Sequence, residues 1–152
     1  MKQENRNINE LKSDLESQLQ ERADVIRDLR ERDGNSQLSD VELIDEYVSS
    51  LAFNKIGSSW IALNVADAKL VLEAVLHRDL AYTSCEQMTM DAAKKVASDF
   101  VACFCADAKF FTNGKWHEKN ASWMAVTEST FDAGVVAFDE HLLGIIWVEA
   151  ED

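Results

Sequence analysis

The 152-residue chain has no proline, only five glycines, three cysteines and three histidines, and after Lys119 it has no lysine or arginine. Without proline, nothing forces a helix to break or a strand to sit at an edge, so boundaries must be read from caps and from changes of hydrophobic period. Three cysteines, Cys85, Cys103 and Cys105, are an odd set, and the start MKQENRNINE lacks the apolar core of a signal peptide. A disulfide framework is therefore not expected, and the expected compartment is the cytoplasm. No apolar run approaches the ~18 residues of a membrane span; the longest, Leu142 to Val148, has the length of a strand.

The catalytic signatures are missing as well. The three histidines, His77, His117 and His141, show no HxxxH, HxH or CxxC spacing, so no metal is expected. Cys103 and Cys105, two apart in a helical pattern, point to different faces and read as small buried residues. Ser58 and Ser59 stand in no GxSxG elbow, and Asn113-Gly114-Lys115 lacks the glycines of a phosphate loop. Paired acids such as Asp139-Glu140 fall in wet turns, where nothing shifts one carboxyl against the other. The expectation is a protein without cofactor and without enzymatic activity.

What is present is a helical half followed by a strand half. Asn7 and Glu10 have capping-box spacing, and Ile8, Leu11, Leu15, Leu19, Ala23 and Ile26 recur at three- and four-residue steps. This predicts one long amphipathic N-terminal helix over residues 1–33. Its narrow stripe, Ile8, Leu11, Leu15, Leu19 and Ile26, is the expected surface for pairing two copies into a homodimer, against packing onto its own domain. Ser39 with Glu42 opens a second helix to about Asn54, Asn64 with Asp67 a third to about Leu80, and Thr89 or Met90 a fourth. Beyond Thr112-Asn113-Gly114, which reads as a tight turn, the period changes to two: Ala121 to Thr127, Val135 to Phe138 and Leu142 to Val148. The fold class is α+β: about four helices, then a C-terminal antiparallel β-meander, in a single domain spanning residues 1–152. Leu142 to Val148 is apolar on both alternating faces, so it must be covered on both sides.

Charge is the remaining signal. The chain carries 28 acids against 15 bases, a formal −13, which disfavours direct contact with nucleic acid or anionic lipid and favours a basic protein partner. Six of those net charges lie in the last 38 residues. Glu128, Asp132, Asp139, Glu140 and Glu149 fall at strand ends and turns, where a meander would gather them along the sheet's rims. Solvated rims explain such acids without any partner. The functional reading is an acidic face that substitutes for phosphate toward a lysine- and arginine-lined groove. Trp116, beside His117, is the candidate exposed anchor, because aromatics are over-represented at binding hot spots.

Small size, absence of proline, strong acidity and the ending WMAVTESTFDAGVVAFDEHLLGIIWVEAED from Trp123 together resemble, in type, the small acidic anti-CRISPR proteins of phages and mobile elements. Those inhibitors share no common motif, so no residue role is carried over. The resemblance implies a stoichiometric inhibitor that jams a nucleic-acid-handling surface of a CRISPR effector without chemistry, in the host bacterial cytoplasm. The alternatives are an immunity or antitoxin protein that plugs a basic nuclease, and an enzyme whose signature is not displayed.

Overall fold

The computed structural model describes residues 7–33, 37–115 and 122–151. In chain order its elements are α1 (Ile8–Leu19), β1 (Val25–Glu31), α2 (Asp40–Ser50), a 3-10 turn at Gly57–Ser59, β2 (Ile61–Leu63), α3 (Val65–His77), α4 (Met90–Ala102), β3 (Lys109–Thr112), β4 (Phe131–Phe138) and β5 (Leu142–Ala150). Each helix starts where its capping residue stands. The side chains of Asn7, Ser39, Asn64 and Thr89 accept hydrogen bonds from the second or third amide beyond them, and Ser39 with Glu42 forms the reciprocal box.

The five strands make one antiparallel sheet in the order β1-β5-β4-β3-β2. The fold is α+β, with β4 and β5 forming the expected C-terminal hairpin through Asp139-Glu140-His141. The first helix differs from expectation: it ends at Leu19, and Val25–Glu31 becomes a strand on β5. Residues four apart share a face in a helix and also in a strand, so Val25 and Leu29 fit either period. Pairing with β5, a strand apolar on both faces, decides between them. Ala23 is exposed at the turn, and Ile26 lies on the opposite face of the sheet from Leu15 and Leu19. Thr112-Asn113-Gly114 is no tight turn either. Beyond the end of β3 at Thr112, Gly114 makes an isolated bridge to Trp123, Met124 N–H donates to Asn113 C=O at 2.8 Å, and Ser122 to Thr130 forms no strand.

Both sheet faces are buried, as the two apolar faces of β5 require. Ile146 and Val148 face one core with Leu15 and Leu19 of α1, Val71, Leu72, Val75 and Leu76 of α3, and Val96 and Phe100 of α4. Leu143, Ile145 and Trp147 face the other, closed by Leu43, Ile44, Tyr47 and Val48 of α2, by Trp60 and by Val126. The Trp60 and Trp147 rings meet edge to face at 6.0 Å. Two glycines permit the close layering: a Cβ at Gly134 would stand 2.0 Å from the carbonyl oxygen of Ile146, and one at Gly144 would stand 2.7 Å from Cζ of Phe104.

Candidate partner-binding surface

The β4–β5 turn is built around Asp139. Its carboxyl accepts from the amides of His141 (2.7 Å) and Leu142 (2.8 Å), closing the turn, and from the amide of Cys105 (2.8 Å), tying the turn to the loop after α4. Burial pushes its pKa up, but the amides of Cys105, His141 and Leu142 outweigh that and hold it below the ordinary 3.8. Arg32, just after β1, braces the turn: its amide donates to His141 C=O, Nη1 donates to Asp139 C=O at 2.8 Å, and its guanidinium lies over the Phe138 ring.

Strand order brings other acids to this tip. Glu31 pairs in register with Leu142, Lys109 with Phe138, and Asp40, at the start of α2, forms an ion pair with Lys109 at 2.7 Å. Glu31, Asp107 and Glu140 are exposed. Partial burial, then the charges of Asp139, Asp107 and Glu140, raise the pKa of the Cys105 thiol, so these acids share one field. Arg32 and Lys109 are both engaged within the tip, which leaves the field negative.

The acids at the other end of the hairpin do a different job. Asp132 has no exposed surface. Its carboxyl accepts from Asn113 Nδ2 (2.9 Å), Val126 N (3.1 Å), Thr127 N and Oγ1 (both 2.8 Å) and Trp147 Nε1 (3.3 Å). Glu149 accepts from Ser129 Oγ, and Glu151 from Thr130 Oγ1, both at 2.5 Å. Those two hydrogen bonds fix the segment before β4 to the end of β5. Glu128 is exposed on that segment.

The acids expected along the sheet's rims therefore fall at two poles. Asp132 pairs in register with Glu149 and Phe138 with Leu143, six steps apart, which at a strand rise of about 3.4 Å separates the poles by about 20 Å. Two of the expected contact residues face inward, Asp132 completely and Asp139 at 4 % exposure, because amide donors at strand ends capture a carboxyl more favourably than solvent does. Glu140 and Glu128 are exposed and Glu149 is half-buried. Trp116 and His117 lie outside the described residues. Sequence reading passed over Glu31, Asp40 and Asp107, because they come from three distant stretches that only the sheet order joins.

The stripe expected to pair two copies is spent inside the protomer. Leu15 and Leu19 are buried in its own core, Ile8 and Leu11 pack partly against it, and Ile26 belongs to the α2 side. Leu29 of the edge strand β1 has no exposed surface either and packs into the same core as Leu15 and Leu19, which sets α1 against β1. A shallow cavity of about 190 Å³ remains between them, lined by Lys12, Glu16 and Arg27, the last two ion-paired at 2.6 Å.

Of the cysteines, Cys103 is buried as expected, while Cys85 and Cys105 are exposed, because α4 ends at Ala102 and leaves Cys105 in the following loop. His77 Nδ1 lies 2.7 Å from Met88 C=O, and His141 is exposed beside Glu140. Among the described residues, no group of three or more His, Cys, Asp or Glu side chains is arranged to hold a metal ion, and no helix is long and apolar enough to cross a membrane. No protein-family model, curated protein or solved structure matches this chain.

Proposed function

We propose that the protein is a non-enzymatic binding protein that presents the acidic β4–β5 tip to a lysine- and arginine-lined, nucleic-acid-handling surface of its target. The supporting observation is the tip itself: exposed Glu31, Asp107 and Glu140 gathered around a turn that Asp139 and Arg32 hold in one geometry. A pre-shaped acidic surface loses little conformational entropy on binding and steers a basic partner from a distance. Resemblance in type to anti-CRISPR inhibitors makes a CRISPR surveillance or effector complex in the bacterial cytoplasm the first target to test. Dimerisation, where it accompanies this role, has to use a surface other than Leu15 and Leu19.

The test is co-expression with tagged CRISPR complexes, followed by affinity measurement across a salt series. Screening shortens to about 10 Å at 0.1 M salt, so a charge-driven complex weakens at least tenfold between low and moderate ionic strength. The triple variant Glu31→Lys, Asp107→Lys, Glu140→Lys binds at least tenfold more weakly with unchanged stability, about 1.4 kcal/mol of binding energy. Failure to co-purify with any such complex removes that target class. A complex that forms but ignores both salt and the triple variant moves the contact away from the tip.

A further inference from the structure

The segment between Trp123 and β4 is held in an unusual way. Val126 is fully buried in the α2-side core, and its C=O accepts from the amide of Asn54 at 2.7 Å. From there to Thr130, hydrogen-bond donors are directed to carboxyls of β4, of β5 and of Glu151 just beyond β5. Val126 N, Thr127 N and Thr127 Oγ1 go to Asp132; Ser129 Oγ goes to Glu149; Thr130 N (3.2 Å) and Thr130 Oγ1 (2.5 Å) go to Glu151. Ser129 N completes the set by donating to Thr127 Oγ1 at 3.1 Å.

We propose that Val126–Thr130 is an acid-releasable strap: Thr130 is clamped while Glu151 is a carboxylate, with the Ser129 hydroxyl bonded to Glu149 beside it, and protonation of Glu151 frees this end of the strap before the sheet unfolds. A hydrogen bond to an ionised acceptor is about twice as strong as one to a neutral carboxyl. The charged surroundings leave these donors as the carboxylates' main support. Neighbouring elements contribute Asp24, already held by Arg22, Glu46 paired with Lys55, Glu128 of the strap itself and Lys115 across from Ser122; among the described residues no base forms an ion pair with Glu149 or Glu151. In keeping with this, the hydroxyl and then the amide of Thr130 hold the Glu151 carboxyl below its ordinary 4.5. The closed strap is favoured above that value and loses this contribution as pH falls through the lowered one. Asp132, deeper and five-fold coordinated, anchors the other end at Val126 and Thr127.

The experiment is amide hydrogen exchange by NMR on the full chain from pH 6.5 to 3.5, corrected for intrinsic rates. The expected result is that Thr130 and Ser129 lose protection about three- to tenfold over this range, while Val135 and Ile146 in the sheet keep theirs. In the variant Glu149→Gln with Glu151→Gln, amide oxygens remain as acceptors but the Glu151 carboxylate is gone, and the acid step shrinks. Ser129→Ala with Thr130→Ala opens the same end already at pH 6.5. Strap and sheet amides losing protection together, an acid step unchanged in the double Gln variant, or a double Ala variant as protected as the parent would each overturn the proposal.

Discussion

Replacing Asp132 with Ala removes the acceptor shared by Asn113, Val126, Thr127 and Trp147. The donors do not suffer equally. Asn113 keeps its bonds to the carbonyls of Met124 and Asp132, and the partly buried Thr127 groups can turn to water. Val126 N–H and the Trp147 indole N–H are fully buried and become orphans, each at about 1–3 kcal/mol. With smaller losses at Thr127, the expected destabilisation is about 3–5 kcal/mol, a large share of the ~5–15 kcal/mol total of an ordinary domain. Urea unfolding followed by tryptophan fluorescence measures it; with a slope of about 2 kcal/mol per molar, the midpoint falls by about 2 M. Asp132→Asn keeps the shape but turns an amide toward donors, so it also destabilises. Glu140→Ala on the exposed tip changes stability by less than about 0.5 kcal/mol. A cost under about 1 kcal/mol for Asp132→Ala would refute the reasoning, and lost affinity for a basic partner without lost stability would return Asp132 to the list of contact residues.

Three further perturbations separate backbone from side-chain effects. Gly134→Ala drives its Cβ against the Ile146 carbonyl, which cannot step aside without breaking the β4–β5 ladder, so this variant is recovered unfolded or insoluble by circular dichroism. Gly144→Ala meets side chains, the rims of Phe104 and Phe100 and the end of Leu29, costs about 1–3 kcal/mol in urea unfolding, and is partly rescued by Phe104→Leu in a double-mutant cycle. Asp139, held below its ordinary 3.8, stabilises the tip above that pH and loses this as pH falls through its lowered value. Exchange at the His141 and Leu142 amides therefore accelerates on acidification, and in Asp139→Asn this dependence disappears.

Local chemistry alone decided several features of this chain. Asn7, Ser39, Asn64 and Thr89 mark helix starts because a capping side chain acts within three residues of itself. The two apolar faces of Leu142 to Val148 demand cover on both sides whatever supplies it, and they received it from α2 on one face and from α1, α3 and α4 on the other. The net charge of −13 is likewise a property of composition.

Other features depend on partners far away in the chain. Val25–Glu31 has a pattern that helix and strand both satisfy, and only pairing with β5, more than a hundred residues on, selects the strand. The acids show the same dependence. Neighbours supply part of each shell, Val126 and Thr127 to Asp132 and His141 and Leu142 to Asp139, but the donors that complete the enclosure come from Asn113, Trp147 and Cys105, which no local signal joins to them. Neither does any local signal join Glu31 and Asp107 to Glu140. Sequence sets how much negative charge the molecule carries. Where that charge is turned inward onto hydrogen-bond donors and where it stays exposed follows from strand order, since a carboxyl's fate depends on which amides and indoles the sheet carries to it.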